Sequence, residues 1–192
     1  MPHRRIGISK SLREHYKQSP EWCELSDADL DRIDAASSCK EYDAGEILFQ
    51  DGDDCLGVYF IHSGLVGVRK TSFEGESTLL RLAFPNDTLG YRPLLASQTH
   101  RAAAEALKPS VVCLISADVV MPMIRENPTL GLNFLHRATV ELGLAEERFH
   151  NTVTLSLRAR FAQLLLIMKD RCGSTEEGKM LLDLPISRGE GV

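Results

Sequence analysis

The sequence contains one tryptophan and only 6% aromatic residues in 192, and its five cysteines include no CxxC pair. An odd number of cysteines, scattered at 23, 39, 55, 113 and 172, disfavours a disulfide framework. It also disfavours structural zinc, whose paired ligands usually sit about two to four residues apart. Reduced thiols are the simplest expectation, and with them a cytoplasmic location. No apolar run approaches the ~20 residues that a membrane span needs, so no membrane partner is expected. The opening Met-Pro-His-Arg-Arg leads into no apolar stretch and is not a secretory signal. GxSxG, HExxH and P-loop patterns are all missing, and no enzyme is expected.

What is present is an ordinary globular balance, with 43% hydrophobic and 26% charged residues. The formal net charge of -5 argues against a whole-chain nucleic-acid footprint. Charge is unevenly spread. Residues 1–20 carry five basic residues against Glu14, and residues 21–54 carry twelve acids against Arg32 and Lys40. This reads as a flexible basic arm over 1–20 followed by an acidic surface.

Residues 20–37 read as a short helical lead-in. Ser26 stands as an N-cap before Asp27 and Asp29, acids placed where a helix dipole favours them. From Tyr42 onward, turn-forming pairs recur at Asp51-Gly52, Ser63-Gly64 and Glu74-Gly75. Between and around them lie strand-like runs at 46–50, 58–62, 65–69 and 78–84, and a last one at 111–115. In the run 78–84, Leu80, Leu82 and Phe84 share a face by the period-two rule. Short strands with regular glycine turns indicate an all-β sandwich or barrel, and a jelly roll over roughly 42–117 follows. Jelly rolls also support cupin enzymes, but those need clustered metal ligands in the sheet, and only His62 lies in a β run.

Past Ala117 the period becomes helical. Pro128 opens a long helix. Leu132, Leu135, Thr139, Leu142, Glu146, Phe149 and Val153 then recur with alternating steps of three and four. Such a seam pairs two helices in a coiled coil, or else packs one amphipathic helix on its own β domain. A second amphipathic helix starts near Ser156, with Leu157, Phe161, Leu164, Leu165 and Met168 on one stripe, and Cys172-Gly173 ends it.

This order of elements resembles the Crp/Fnr family of transcription regulators. The resemblance rests on Tyr42-Asp-Ala-Gly-Glu-Ile-Leu-Phe-Gln-Asp-Gly52, Val58-Tyr-Phe-Ile-His-Ser-Gly-Leu-Val66, Pro85-Asn-Asp-Thr-Leu-Gly-Tyr91 and Leu157-Arg-Ala-Arg-Phe-Ala-Gln-Leu-Leu-Leu166. It implies an α+β, mainly β fold: a double-stranded β-helix jelly roll followed by a long dimerisation helix and a further helix. The expected parts are the arm (1–20), a cyclic nucleotide-binding-like sensor domain (21–124), the dimerisation helix (125–155) and the start of a DNA-binding domain (156–192).

In nucleotide-binding members of that family, a Gly-Glu pair and a later Arg-Ser pair build the pocket, the carboxylate accepting a ribose hydroxyl and the arginine holding the phosphate. Here Gly90 matches, Tyr91 stands in place of the glutamate, Arg101 aligns with the phosphate arginine across a one-residue gap, and Ala102 replaces the serine. Gly90, Tyr91, Arg92 and Arg101 are the expected ligand-binding residues. Cyclic nucleotides are not the expected ligand. Arg92 and Arg101 either bind another anion or pair with Asp87 and Glu105. Cys113 resembles the central cysteine of the iron–sulfur branch, but the tight N-terminal cysteine run is missing. Cys113 then reads as a small buried hydrophobe, no metal site is expected, and the cofactor is left unknown.

The resemblance implies regulation of transcription in response to a small effector or a redox signal, with a homodimer formed through Leu132, Leu135, Leu142, Phe149 and Val153. Leu184-Pro-Ile-Ser-Arg188 resembles the start of a winged helix-turn-helix, and only Gly189, Glu190, Gly191 and Val192 follow. A helix-turn-helix needs two helices and a turn, so DNA is an expected partner only where a complete one is present. The alternative is a sensor-only module that dimerises without reading DNA.

Overall fold

The computed structural model describes residues 10–176 and 179–182, with side chains from Leu12 to Asp170. The chain divides into two compact units, 1–135 and 136–192.

The first unit opens with α1 (Lys10–Gln18) and α2 (Asp27–Ala36). Ser26 caps α2 in a capping box: its hydroxyl accepts from the Asp29 N–H at 3.2 Å, while the Asp29 carboxylate accepts from the Ser26 N–H at 3.3 Å. The arm expected over 1–20 is a helix from Lys10 onward. Leu12 and Tyr16 are buried, Arg13 pairs with Asp31 and Asp34 of α2, and Lys17 reaches Asp27 at 3.4 Å. The acids that follow the basic stretch neutralise it, so charge asymmetry in the sequence becomes pairing in the fold. Residues 1–9 lie outside the described residues.

Eight strands follow: β1 (Ser37–Tyr42), β2 (Ile47–Phe49), β3 (Gly57–Ser63), β4 (Val66–Thr71), β5 (Ser77–Ala83), β6 (Thr88–Leu89), β7 (Ala103–Ala106) and β8 (Ser110–Ser116). They pair antiparallel in two four-stranded sheets, ordered β1-β8-β3-β6 and β2-β7-β4-β5. This is the jelly roll, with α3 (Tyr91–Ala96) set between β6 and β7. Between the sheets Phe49, Tyr59, Ile61, Val66, Val68, Ala83, Leu89, Ala104 and Val112 form the core. Strand β3 is buried on both faces, which is why Val58-Tyr-Phe-Ile61 is a continuous apolar run rather than an alternating one. Its outward Phe60 meets Tyr16 with ring centroids 4.5 Å apart. The turn at Gly64, at φ +94, has no room for a side chain: a Cβ there would overlap Ser110.

One expected face is corrected. A register shift between Val68 and Arg69 makes Val68 pair with Arg81 and Arg69 with Leu79, so Leu80 is an extra residue in β5. Ala83 therefore points into the core, Leu82 pairs across from Gly67, and Leu80 stays 45% exposed.

The cysteine expectation is also corrected. Cys39 and Cys113 are bonded to each other. They are directly opposed in the β1–β8 ladder, and sequence spacing, with the two 74 positions apart, gives no hint of that adjacency. Cys23 and Cys55 carry free thiols.

α4 (Ala117–Glu126) is capped by Ser116 and buries Val120 and Met123. α5 (Pro128–Thr154) opens at the expected proline and buries Leu130 and Phe134 in the first unit. In the second unit, α5 carries an Arg137–Glu141 pair at 2.9 Å. Ser156 then caps α6 (Leu157–Cys172), accepting from the Ala159 N–H at 3.3 Å. An antiparallel hairpin of β9 (Gly173–Glu176) and β10 (Lys179–Leu182) follows. The stretch 184–188, expected to begin a DNA-binding domain, lies outside the described residues.

Alkylation of the native chain should label Cys23 and Cys55, and Cys39 and Cys113 should be labelled only after reduction, as read by peptide mass spectrometry. Reduction should lower unfolding stability by about 4 kcal/mol, the chain-entropy value for a loop of this length. Labelling of Cys39 or Cys113 without reductant in the folded chain would contradict the bond.

Candidate functional site

A cavity of about 370 Å³ opens between the ends of β4, β5 and β6, α3 and the segment entering β7. The local chain explains its shape. Gly90 turns β6 into α3 at φ +81, and a Cβ there would lie 2.8 Å from the Gly57 carbonyl oxygen and 3.3 Å from the Tyr59 ring. The half-buried Cys55 thiol lies 3.4 Å from the carbonyl oxygens of Gly57 and of Gly90, and burial pushes its pKa up. On the far side, His100 donates its N–H to the Asp53 carbonyl at 2.9 Å and accepts from the Gly52 N–H at 2.7 Å. The β2–β3 turn thus fixes the backbone just ahead of β7. Lys70 ties Asp51 to the segment entering β7, donating to the Asp51 carboxylate at 2.6 Å and to the Arg101 carbonyl at 2.8 Å.

The structure brings Gly90, Tyr91, Arg92 and Arg101, all expected from sequence, to this one cavity. Arg92 and Arg101 do not pair with Asp87 and Glu105. Glu105 engages Arg69 at 3.1 Å, and the Asp87 carboxylate accepts the Phe84 N–H at 2.9 Å. Arg92 and Arg101 are exposed and make no ion pair among the described residues. Tyr91 is buried at 2% exposure. Its ring stacks on Phe134 of α5, with centroids 5.7 Å apart and an interplanar angle of 28°. Phe134 also meets the Trp22 ring at right angles with centroids 5.2 Å apart, and the Trp22 indole N–H donates to the Thr88 hydroxyl at 2.9 Å. The floor of the cavity is thereby tied to the first turns of the long helix.

Three further residues escaped sequence reasoning. Phe49 and His100 stack at 3.8 Å and 17°, and both line the cavity. His100 is 3% exposed and its Nε2 is buried without a hydrogen-bond partner. Burial holds its pKa below the ordinary histidine value, against an opposing pull from Asp53. Arg81 enters because the bulge at Leu80 turns both residues to the cavity. Only the glycine turn and the isolated basic residues could have signalled this region; a bulge and a ring stack leave no spacing to read. Among the described residues, no group of three or more His, Cys, Asp or Glu side chains gathers to hold a metal. Cys113 is occupied by its bond to Cys39.

The seam residues on α5 lie open: Leu132 is 62%, Leu135 56%, Leu142 60%, Phe149 73% and Val153 73% exposed. No helix among the described residues is long and apolar enough to cross a membrane.

His62 is also depressed, by burial first and then by the neighbouring His15, whose ring lies 4.5 Å away. A histidine that stays neutral when folded binds fewer protons than its unfolded form. Stability is therefore full above the ordinary value of about 6.5 and declines as pH falls below it. Chemical denaturation between pH 7.5 and 5.5 should show this decline, with a slope per histidine of at most about 1.4 kcal/mol per pH unit. His100→Asn should flatten the slope, and an unchanged slope in that variant would remove His100 from the account.

Comparison with known proteins agrees with this architecture. Residues 39–127 match the family described as cyclic nucleotide-binding domain. Regulatory protein HlyX of Actinobacillus pleuropneumoniae is 23% identical over 167 residues, covering 86% of this chain and 69% of the relative. Transcriptional activator protein FnrL of Cereibacter sphaeroides is 26% identical over 155 residues, covering 79% and 61%. The chain thus spans about two thirds of the length of these relatives. A solved structure of a Crp/Fnr-family regulator from Eubacterium rectale superposes with a TM-score of 0.68 at 20% identity, covering 79% of this chain and 71% of the other. These relatives are named as regulators, and residues 39–127 of this chain are similar to the cyclic nucleotide-binding domain.

Proposed function

We propose that this chain is the sensing and dimerising part of a transcription regulator, with a small effector in the arginine-rimmed cavity as its input. The observation that carries the reading is the stack of Tyr91 on Phe134. Tyr91 lines the cavity and Phe134 belongs to α5, so an occupant that moves Tyr91 acts directly on the long helix. Close packing transmits such a shift because buried rings have few alternative arrangements.

The output is a change in pairing or orientation of α5 with its counterpart in a second copy. The seam supports a second copy as the occupant of this face because its apolar residues repeat at steps of three and four while standing exposed. A helix with that repeat is complementary to itself. In the whole protein, a helix-turn-helix attached beyond α6 would convert the change into DNA binding. The Cys39–Cys113 bond supports a second, thiol-based input, since it joins β1 to the central strand β8 of one sheet.

Light scattering on the purified chain should give twice the 21.3 kDa protomer mass. Leu135→Asp combined with Leu142→Asp should yield monomer, because paired helices would bury unpaired charge. A wild-type monomer at tens of micromolar would overturn the dimer.

A further inference from the structure

We propose that the cavity takes a small organic anion with a compact apolar body and one hydroxyl or keto oxygen, rather than a cyclic nucleotide. This rests on the effector reading above and names the chemical class of the effector.

Three features of the cavity select that class. The first is charge. Arg81, Arg92 and Arg101 line it, and no aspartate or glutamate does. Arg92 and Arg101 are free to meet a ligand, and a guanidinium fork matches the two oxygens of a carboxylate. A ribose diol, in contrast, finds no charged acceptor. The position where the family places a carboxylate is Tyr91, and its ring is committed to Phe134.

The second feature is the wall. Phe49, Val68, Leu80 and Leu89 face the cavity, so the ligand carries apolar surface beyond its anionic end. About 370 Å³ is room enough for a substituted ring.

The third feature is His100. Its ring is held by the stack on Phe49, and its neighbours leave Nε2 buried and unpartnered. Buried polar atoms of proteins are nearly always satisfied, so an unpartnered nitrogen on a residue that lines a cavity is a place for a ligand atom. A neutral imidazole nitrogen pairs with a hydroxyl or a carbonyl oxygen, according to its tautomer. The three features order the ligand: anion toward Arg92 and Arg101 at the rim, apolar body against Leu80 and Leu89, and polar substituent toward His100.

The test is calorimetry on the full 192-residue chain with 4-hydroxybenzoate, benzoate, phenyl phosphate, inorganic phosphate and cyclic AMP as probes, with NMR shift mapping of the bound state. The expected result is that 4-hydroxybenzoate binds at least tenfold more tightly than cyclic AMP or inorganic phosphate, with shifts at Gly90, Tyr91 and Arg101. Phenyl phosphate, which carries no hydroxyl or keto substituent, binding more tightly than 4-hydroxybenzoate would overturn the class. Arg92→Gln and Arg101→Gln, both at exposed side chains, should each weaken binding at least fivefold, while Arg125→Gln, away from the cavity, should not. His100→Phe keeps the stack and should abolish the preference for 4-hydroxybenzoate over benzoate. Cyclic AMP binding as tightly as the aryl anions, with shifts at the same residues, would overturn the class and leave the effector site standing. Binding that ignores both arginine substitutions would overturn the site itself, and no binding by any aryl anion would overturn the class.

Discussion

Phe134 lies between two rings with different duties. Trp22 meets it at right angles and is anchored through Thr88 to β6; Tyr91 stacks on it and lines the cavity. All three are nearly or fully buried. Aromatic pairs add about 0.5–1.5 kcal/mol beyond the area they bury, so this cluster is among the costliest parts of the first unit to disturb. It also constrains everything nearby. The β6–α3 turn must be tight enough to bring Tyr91 back onto α5, and only a residue without Cβ fits at position 90. α5 must begin at Pro128 to deliver Phe134 to the same place.

The cluster gives the tyrosine at position 91 a physical meaning. A glutamate there would be a binding group whose charge needs a partner or water. A tyrosine is a packing group. The substitution removes an acceptor from the cavity and adds a ring to its floor, changing at one position both what can bind and what binding would push against. In the proposed reading, coupling between an occupant of the cavity and the long helix would rest on shape rather than on a shared ion pair, and shape is insensitive to salt.

Much of the frame was legible in the sequence. Glycine turns, the capping Ser26 and Pro128 marked boundaries because each reflects a local backbone requirement that needs no partner. Five of the eight jelly-roll strands followed from runs between such turns. β1, β6 and β7 did not: β6 has two residues, β7 is built from alanine and glutamate, and Ser37-Ser-Cys-Lys-Glu-Tyr42 carries little apolar character. These are strands because a neighbour pairs with them, so their signal lies elsewhere in the chain. The Cys39–Cys113 bond is legible only once β1 is known to lie beside β8. The site divides the same way. Gly90, Tyr91, Arg92 and Arg101 were visible as a motif with a defect, whereas Phe49, Arg81 and His100 reach the cavity through a bulge, a stack and a distant turn.

The bulge in β5 shows how small an irregularity decides the chemistry. Strict alternation would have placed Leu80, Leu82 and Phe84 on one face. One extra residue reverses that parity beyond Leu80 and sends Ala83 inward, where Val66 opposes it. A small residue is what the crowded sheet interface accepts there. The same shift turns Leu80 and Arg81 together toward the cavity, supplying an apolar surface and a cation from adjacent positions. Without the extra residue, one of the two would face the opposite side of the sheet, because a one-residue slip exchanges the faces of a strand. The mixed apolar and cationic lining of the cavity is therefore a consequence of backbone register as much as of residue type.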